Sequence, residues 1–308
     1  MAREWLGVVF STGALLALGT TPAAAADTAV TVSTATVSGS SISVAGNVAY
    51  GADATGALTL STDPAGDTQV PGMDLGNLTV RTDVAARRLI WTLELKNGLQ
   101  DPVGGPPPAL TGFIVPVMVD DQDFWRWLGA GTAGTALGQT GKWTGLCSNE
   151  TASGTQGGWG CPGVLAGAGT YSYSGSITAS GISWTQPFSQ MKPQIQYGSV
   201  VTPSSIHGGA PISMAWPPGL LGAAAPIDTG GFASPYKVPG EVKVAVTAAG
   251  SLPSPDAFAT KATFNGTTGN FTASVPAGGT GARTVWVQTC YGNNDTPTCV
   301  TGSKDVTV

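Results

Sequence analysis

Leu89-Ile90-Trp91-Thr92-Leu93-Glu94-Leu95-Lys96 places Leu89, Trp91, Leu93 and Leu95 on one side of an extended chain and Thr92, Glu94 and Lys96 on the other. A period of two is that of a strand with one face in a core, because successive side chains of a pleated strand point to opposite faces. The same parity recurs in both directions along the chain. Upstream, Ile42, Val44, Val48 and Tyr50 alternate with Ser41, Ser43 and Asn47. Downstream, Val242, Val244 and Val246 alternate with Glu241, Lys243 and Thr247, Phe271, Ala273 and Val275 with Thr272 and Ser274, and Val285, Val287 and Thr289 share one side. After Asp27 no 12-residue window carries an i, i+3, i+4, i+7 apolar stripe free of Gly and Pro, so helices are expected only as short turns. Strands separated by turn residues without intervening helices predict an all-β protein of antiparallel β-sandwiches.

Composition agrees. The 308 residues include 45 Gly and 22 Pro, and only 10 % are charged, against about 25 % in ordinary soluble domains. A hydrophobic content of 42 % is too high for a disordered chain. With 13 Lys and Arg against 18 Asp and Glu, and no basic run, the electrostatic attraction that dominates nucleic-acid binding is missing, so no nucleic-acid partner is expected.

Residues 1–26 read as a signal peptide: Arg3 supplies a positive start, Leu6 to Leu18 an apolar stretch, and Pro22-Ala23-Ala24-Ala25-Ala26 the small residues before a cut at Asp27. The apolar stretch is too short to span roughly 30 Å of hydrocarbon as a helix. The expected mature chain is secreted and extracellular, with no membrane span. It divides into a β-sandwich domain at 27–207, a Pro- and Gly-rich connection at 208–238 and a second domain at 239–308. Alternation leaves open whether the N-terminal strands join the C-terminal sheet instead. In an exporting compartment the four cysteines are expected to pair locally, Cys147 with Cys161 and Cys290 with Cys299. Neither pair has CxxC spacing or a nearby histidine, which argues against zinc.

The segment Gly269-Asn270-Phe271-Thr272-Ala273-Ser274-Val275-Pro276, a Gly-rich turn, and Thr284-Val285-Trp286-Val287-Gln288-Thr289 resemble an immunoglobulin-like module of secreted bacterial proteins. The resemblance implies an immunoglobulin-like fold for the C-terminal part. The widely spaced cysteines of antibody domains are not present, because Cys290 and Cys299 lie close together. The central part, through Asp63-Pro64-Ala65-Gly66-Asp67, Met73-Asp74-Leu75 and Leu89 to Leu95, resembles export-associated β-sandwich modules, a layout shared by carbohydrate- and ligand-binding sandwiches. Fold resemblance of this kind implies no catalytic residue.

Motifs for common chemistries are missing from the sequence. His207 is its only histidine and lies in the Pro-rich stretch, where a loop is expected, and there is no GxSxG, HExxH, GxxxxGK[ST] or GxGxxG placed between a strand and a helix. Asp63, Asp67, Asp120, Asp121 and Asp123 cluster at two expected loops. Turn chemistry explains them, since Asp, Pro and Gly fall at i, i+1 and i+3 of Asp63-Pro64-Ala65-Gly66 and Asp120-Asp121-Gln122-Asp123 suits a hairpin tip. Calcium is the alternative, as a hard cation that takes six to eight oxygens. Among nine tryptophans, Trp125 and Trp127 share one face of an expected strand at 123–128. They form either a sugar-stacking platform or part of a core. The sum points to an exported, non-catalytic protein of extracellular binding or adhesion, with a carbohydrate or surface component as partner. A glycoside-hydrolase-like enzyme using Glu94 with Asp120, Asp121 or Asp123 is the alternative, and a structural surface or matrix protein the third reading.

Overall fold

A computed structural model describes residues 27–64, 66, 74–96, 111–120, 126–133, 141–150, 156–160, 175–178, 181–190, 193–203, 206–209, 228–230 and 233–308. The chain opens with strands β1 (Ala29–Ser38) and β2 (Ser41–Ala49) and the helical turn α1 (Ala52–Thr55). There follow β3 (Leu58–Ser61), β4 (Leu75–Asp83), β5 (Arg88–Leu95), β6 (Thr111–Val119), β7 (Arg126–Ala133), β8 (Gly141–Glu150) and β9 (Gln156–Gly160). The middle of the chain continues with β10 (Gly175–Thr178), β11 (Gly181–Pro187), β12 (Val200–Pro203), β13 (Ile206–Gly209), β14 (Asp228–Gly230) and β15 (Tyr236–Lys237). It ends with β16 (Val242–Ala248), β17 (Thr260–Lys261), β18 (Thr263–Phe264), β19 (Asn270–Pro276), β20 (Ala282–Asn293) and β21 (Thr298–Thr307). Strand pairs among the described residues are antiparallel, so the fold is all-β.

Two cores account for the alternation. In the central sandwich a sheet ordered β10-β11-β5-β4-β3 faces strands β15, β12 and β6 across a core that includes Trp91, Leu93, Val117, Ile182, Trp184, Phe188 and Val201. Trp91 and Trp184 sit directly opposite each other on β5 and β11, both fully buried. Burying an indole also buries its N–H, which needs an acceptor; Trp91 Nε1 donates to Gln186 Oε1 at 2.7 Å. A second buried bond, 2.7 Å between the hydroxyls of Thr82 on β4 and Tyr236 on β15, ties the two sheets together.

The other sandwich is discontinuous in sequence. One sheet is ordered β1-β2-β19-β18, and facing it are β17, β16, β20 and β21. Between them lie Ile42, Val44, Phe271 and Val275 from one sheet and Val242, Val244, Val285 and Val287 from the other. Alternation leaves the partner of the N-terminal hairpin open; the register Val44↔Ala273 and Ile42↔Val275 places it in the C-terminal sheet. The central sandwich is thus inserted after the first hairpin of the C-terminal one. The two share a seam, because β20 pairs with β16 and β21 and then, at Gly292 and Asn293, with Lys237 and Tyr236 of β15. Cys290 and Cys299 oppose each other on β20 and β21 and form a disulfide near that seam. Cys161 and the side chain of Cys147 lie outside the described residues.

The outer strand β1 carries a register irregularity between Val32 and Thr34, and Lys304 Nζ donates to the Ser33 carbonyl at 2.8 Å. Lys304 belongs to β21, which lies beside β1 and so covers that edge within the same chain. Among the described residues no helix is long and apolar enough to cross a membrane.

Candidate functional site

Among the described residues, the seam between the sandwiches creates a distinctive polar surface. The loop Val84-Ala85-Ala86-Arg87 joins β4 to β5 and touches the turn around Gly266 of the other sandwich. Asp83 organises the loop: its carboxylate accepts from Ala86 N at 3.1 Å and pairs with Arg88 at 2.8 Å. Burial pushes the Asp83 carboxyl up, but the bonds from Ala86 and Arg88 outweigh it and the net shift is downward. Arg87 closes the loop with a φ of 51°, in the left-handed region that costs a side-chain-bearing residue about 1–2 kcal/mol. Its guanidinium lies over the Tyr197 ring, 5.1 Å from the centroid.

Tyr197 belongs to an aromatic relay between the sandwiches. Phe188–Tyr197, Tyr197–Phe264, Phe264–Tyr50 and Tyr50–Tyr291 all meet edge to face, with centroids 5.9, 5.2, 6.1 and 6.3 Å apart. Two glycines make room for it. A Cβ at Gly266 would lie 2.0 Å from the Tyr197 hydroxyl oxygen and 2.7 Å from the Val84 carbonyl, and one at Gly240, where φ is 108°, would lie 2.3 Å from the Tyr197 ring. The Tyr197 hydroxyl donates to the Val84 carbonyl at 3.3 Å, and burial raises its pKa.

Two open clefts flank this contact. One, of about 450 Å³, is lined by Arg87, Tyr197, Phe264, Asn265, Thr267 and Asn270 among others; its neighbour, of about 500 Å³, by Asn47, Thr55, Arg81, Asp83 and Thr268 among others. Local bonds fix the amides: Asn47 Nδ2 donates to Thr268 O and Asn270 Oδ1, and Asn265 Oδ1 accepts from the backbone N–H groups of Thr267 and Thr268. Fixed amides and hydroxyls, two guanidinium groups and a phenol ring suit an uncharged polyhydroxylated ligand or an anionic one, because the array offers donors, acceptors and a flat apolar surface together.

Among the described residues, none of those expected from sequence lines these clefts. Trp127 is on β7 between Pro116 of β6 and Cys147 of β8; its indole, and all of Trp125, lie outside the described residues. Asp67, Asp121 and Asp123 also lie outside them. Asp63 is buried. Asp120 ends β6 with a φ of 51°, and its carboxylate accepts from Ser199 Oγ and Val200 N, both at 2.8 Å, so it acts as a turn residue that fastens β6 to β12. Among the described residues no group of three or more His, Cys, Asp and Glu is placed to hold a metal ion. Glu94 pairs with Lys96 at 2.8 Å and accepts from Asn77 N; the Lys96 bond, chiefly, lowers its pKa. A glycosidase acid needs the opposite, a carboxyl held protonated. His207 is not in a loop: it stands in β13, its backbone paired with Ile114 and Thr229, because β6 and β14 capture the segment as a strand. Linear alternation gives no signal for Arg87, Tyr197 or Asn265, which come together only through the seam. No family model and no curated protein matches the chain by sequence.

Proposed function

We propose that the chain is an exported, non-catalytic protein of extracellular binding or adhesion, which takes a carbohydrate or other surface component at the seam between its sandwiches. The observation that carries this reading is Arg87, held with positive φ over Tyr197 at the mouth of a cleft where fixed amides from the other sandwich converge. A side chain kept where glycine would sit without strain is a reason to look for a function in that side chain. The cross-strand disulfide Cys290–Cys299 is compatible with an oxidising, extracellular setting. Trp125 and Trp127 are proposed as a further aromatic contact for the same class of ligand. A structural surface role is the second reading, favoured by the aromatic relay that fastens the sandwiches together. A glycan-array screen of the chain from Asp27 onward, run with and without calcium, tests the proposal. Glycan binding supports it, calcium dependence would draw in the aspartates, and no binding to any glycan or surface preparation moves the weight to the structural role.

A further inference from the structure

We propose that a second, separate pocket on the C-terminal sandwich binds a compact oxyanion, the carboxylate or sulfate ester of an acidic sugar. The pocket has a volume of about 200 Å³ and is lined by Lys237, Glu241, Lys243, Gln288, Cys290 and Asn294, with Pro297 at its edge. It shares no residue with the two seam clefts.

Its chemistry follows from strand register. Lys261, Lys243 and Gln288 lie in one row across β17, β16 and β20, through the pairs Lys243↔Lys261 and Lys243↔Gln288. Val242 and Val244 point into the core, so the intervening Lys243 points outward with its row. Two lysines side by side repel unless an anion lies between them, and Glu241 supplies it. Lys261 Nζ lies 2.7 Å from Glu241 Oε1, while Lys243 and Lys237 lie 3.3 and 3.8 Å from Oε2. Lys237 Nζ also donates to the Gly198 carbonyl at 3.4 Å.

Neutralising Glu241 takes one ammonium, and Lys261 has the shortest contact. The Asp120 carboxylate also acts on Lys261, so these groups balance to one surplus charge even when Asp120 is counted. The surplus resides on Lys237 and Lys243, the two that line the pocket, in a chain whose net charge is -5. Glu241 holds both in place, with only 11 % of its side chain exposed. Beside them the side-chain amides of Gln288 and Asn294 make no hydrogen bond with any described residue, which leaves neutral donors next to the cations. Two ammonium groups and two unengaged amides around a concave space form the donor set that a carboxylate or sulfate accepts.

The test is an NMR titration of the chain from Asp27 onward with glucose 6-sulfate, glucuronate and glucose, following the side-chain amide signals of Gln288 and Asn294. Movement with either anionic sugar and not with glucose supports the proposal, and the stronger of the two identifies the preferred anion. Lys243→Gln and, separately, Asn294→Ala should each weaken the response by about tenfold, as expected for one charged hydrogen bond, and added salt should weaken it too. Asn294→Ala leaves the charges around Glu241 untouched, so it remains informative if the lysine variant folds poorly. Still signals with both anions, equal movement with glucose, or unchanged titration of both variants overturns the proposal.

Discussion

The phenol of Tyr291 donates a hydrogen bond to the carboxylate of Asp53, across 238 positions of sequence. Thr28 closes the group, its N–H and hydroxyl donating to Asp53 Oδ1 at 3.0 and 2.8 Å while its hydroxyl accepts from Gly51 N at 3.0 Å. This small network fixes the point where the chain leaves its first hairpin, enters the central sandwich through α1, and meets the long strand β20 on its return. Next to it Tyr50 and Thr289 share a 2.6 Å hydroxyl contact. Together with the aromatic relay, these bonds tie the two sandwiches to each other across the seam.

Acid should loosen the seam. Burial pushes the Asp53 carboxyl up, but the bonds from Tyr291 and Thr28 outweigh it, and the net shift is downward. A depressed carboxyl contributes stability that is present above its unfolded pKa, about 3.9, and lost as pH falls through the folded value. The melting temperature should therefore drop below about pH 4, and Asp53→Asn should flatten part of that drop while lowering the plateau at neutral pH. A pH series of melting curves on both proteins checks this.

The tyrosines carry the opposite sign. Burial, chiefly, pushes Tyr50, Tyr236 and Tyr291 up to about 12. Raised groups contribute stability that is full below the unfolded pKa of about 10 and lost as pH rises through the folded one. Phenolate absorbance should show Tyr50, Tyr236 and Tyr291 ionising late and together with unfolding. Tyr291→Phe should remove one of the late three.

Gly266→Ala should destabilise by about 1–3 kcal/mol, the usual cost of overpacking, because its Cβ meets the Tyr197 hydroxyl oxygen and the Val84 carbonyl. Adding Tyr197→Phe removes the clash with the hydroxyl and leaves those with the ring Cζ, at 2.9 Å, and the Val84 carbonyl, so the double variant should recover part of the loss. Denaturant melts of the two single variants and the double variant give the coupling directly.

Replacing Cys290 and Cys299 together by Ser should cost about 2.5 kcal/mol by chain entropy for so short a loop, with the fold kept. The bridge joins strands already paired along ten positions, from Ala282↔Thr307 to Tyr291↔Thr298. Thermal melting of the double variant measures the loss, and failure to fold would show that the disulfide does more than staple the hairpin.

Strand parity made both cores legible, since Leu89, Trp91, Leu93 and Leu95 are buried as their alternation requires, and so are Ile42, Val44, Val242, Val244, Val285 and Val287. Which strands pair across the insertion was not legible: the register of Val44 against Ala273 depends on loop closure over more than 200 residues, and no local residue encodes it. The same reason hides the seam. Arg87 belongs to a four-residue turn and Tyr197 to an irregular segment, and neither has a periodic neighbour to mark its side. The Pro-rich neighbourhood of His207 suggests a loop, whereas pairing with β6 on one side and β14 on the other holds the segment as a four-residue strand, a long-range effect that no local residue signals.

The central claim is that the seam binds its ligand through Arg87, and Arg87→Gly tests it most directly. Glycine relieves the left-handed backbone, a gain of about 1 kcal/mol, against a cation–π contact of about 0.5–1 kcal/mol lost, so the melting temperature should stay nearly unchanged. On the glycan array the wild-type chain should bind and Arg87→Gly should lose that binding with its fold intact. Binding of Arg87→Gly equal to wild type, or no glycan bound by the wild-type chain, would contradict the account.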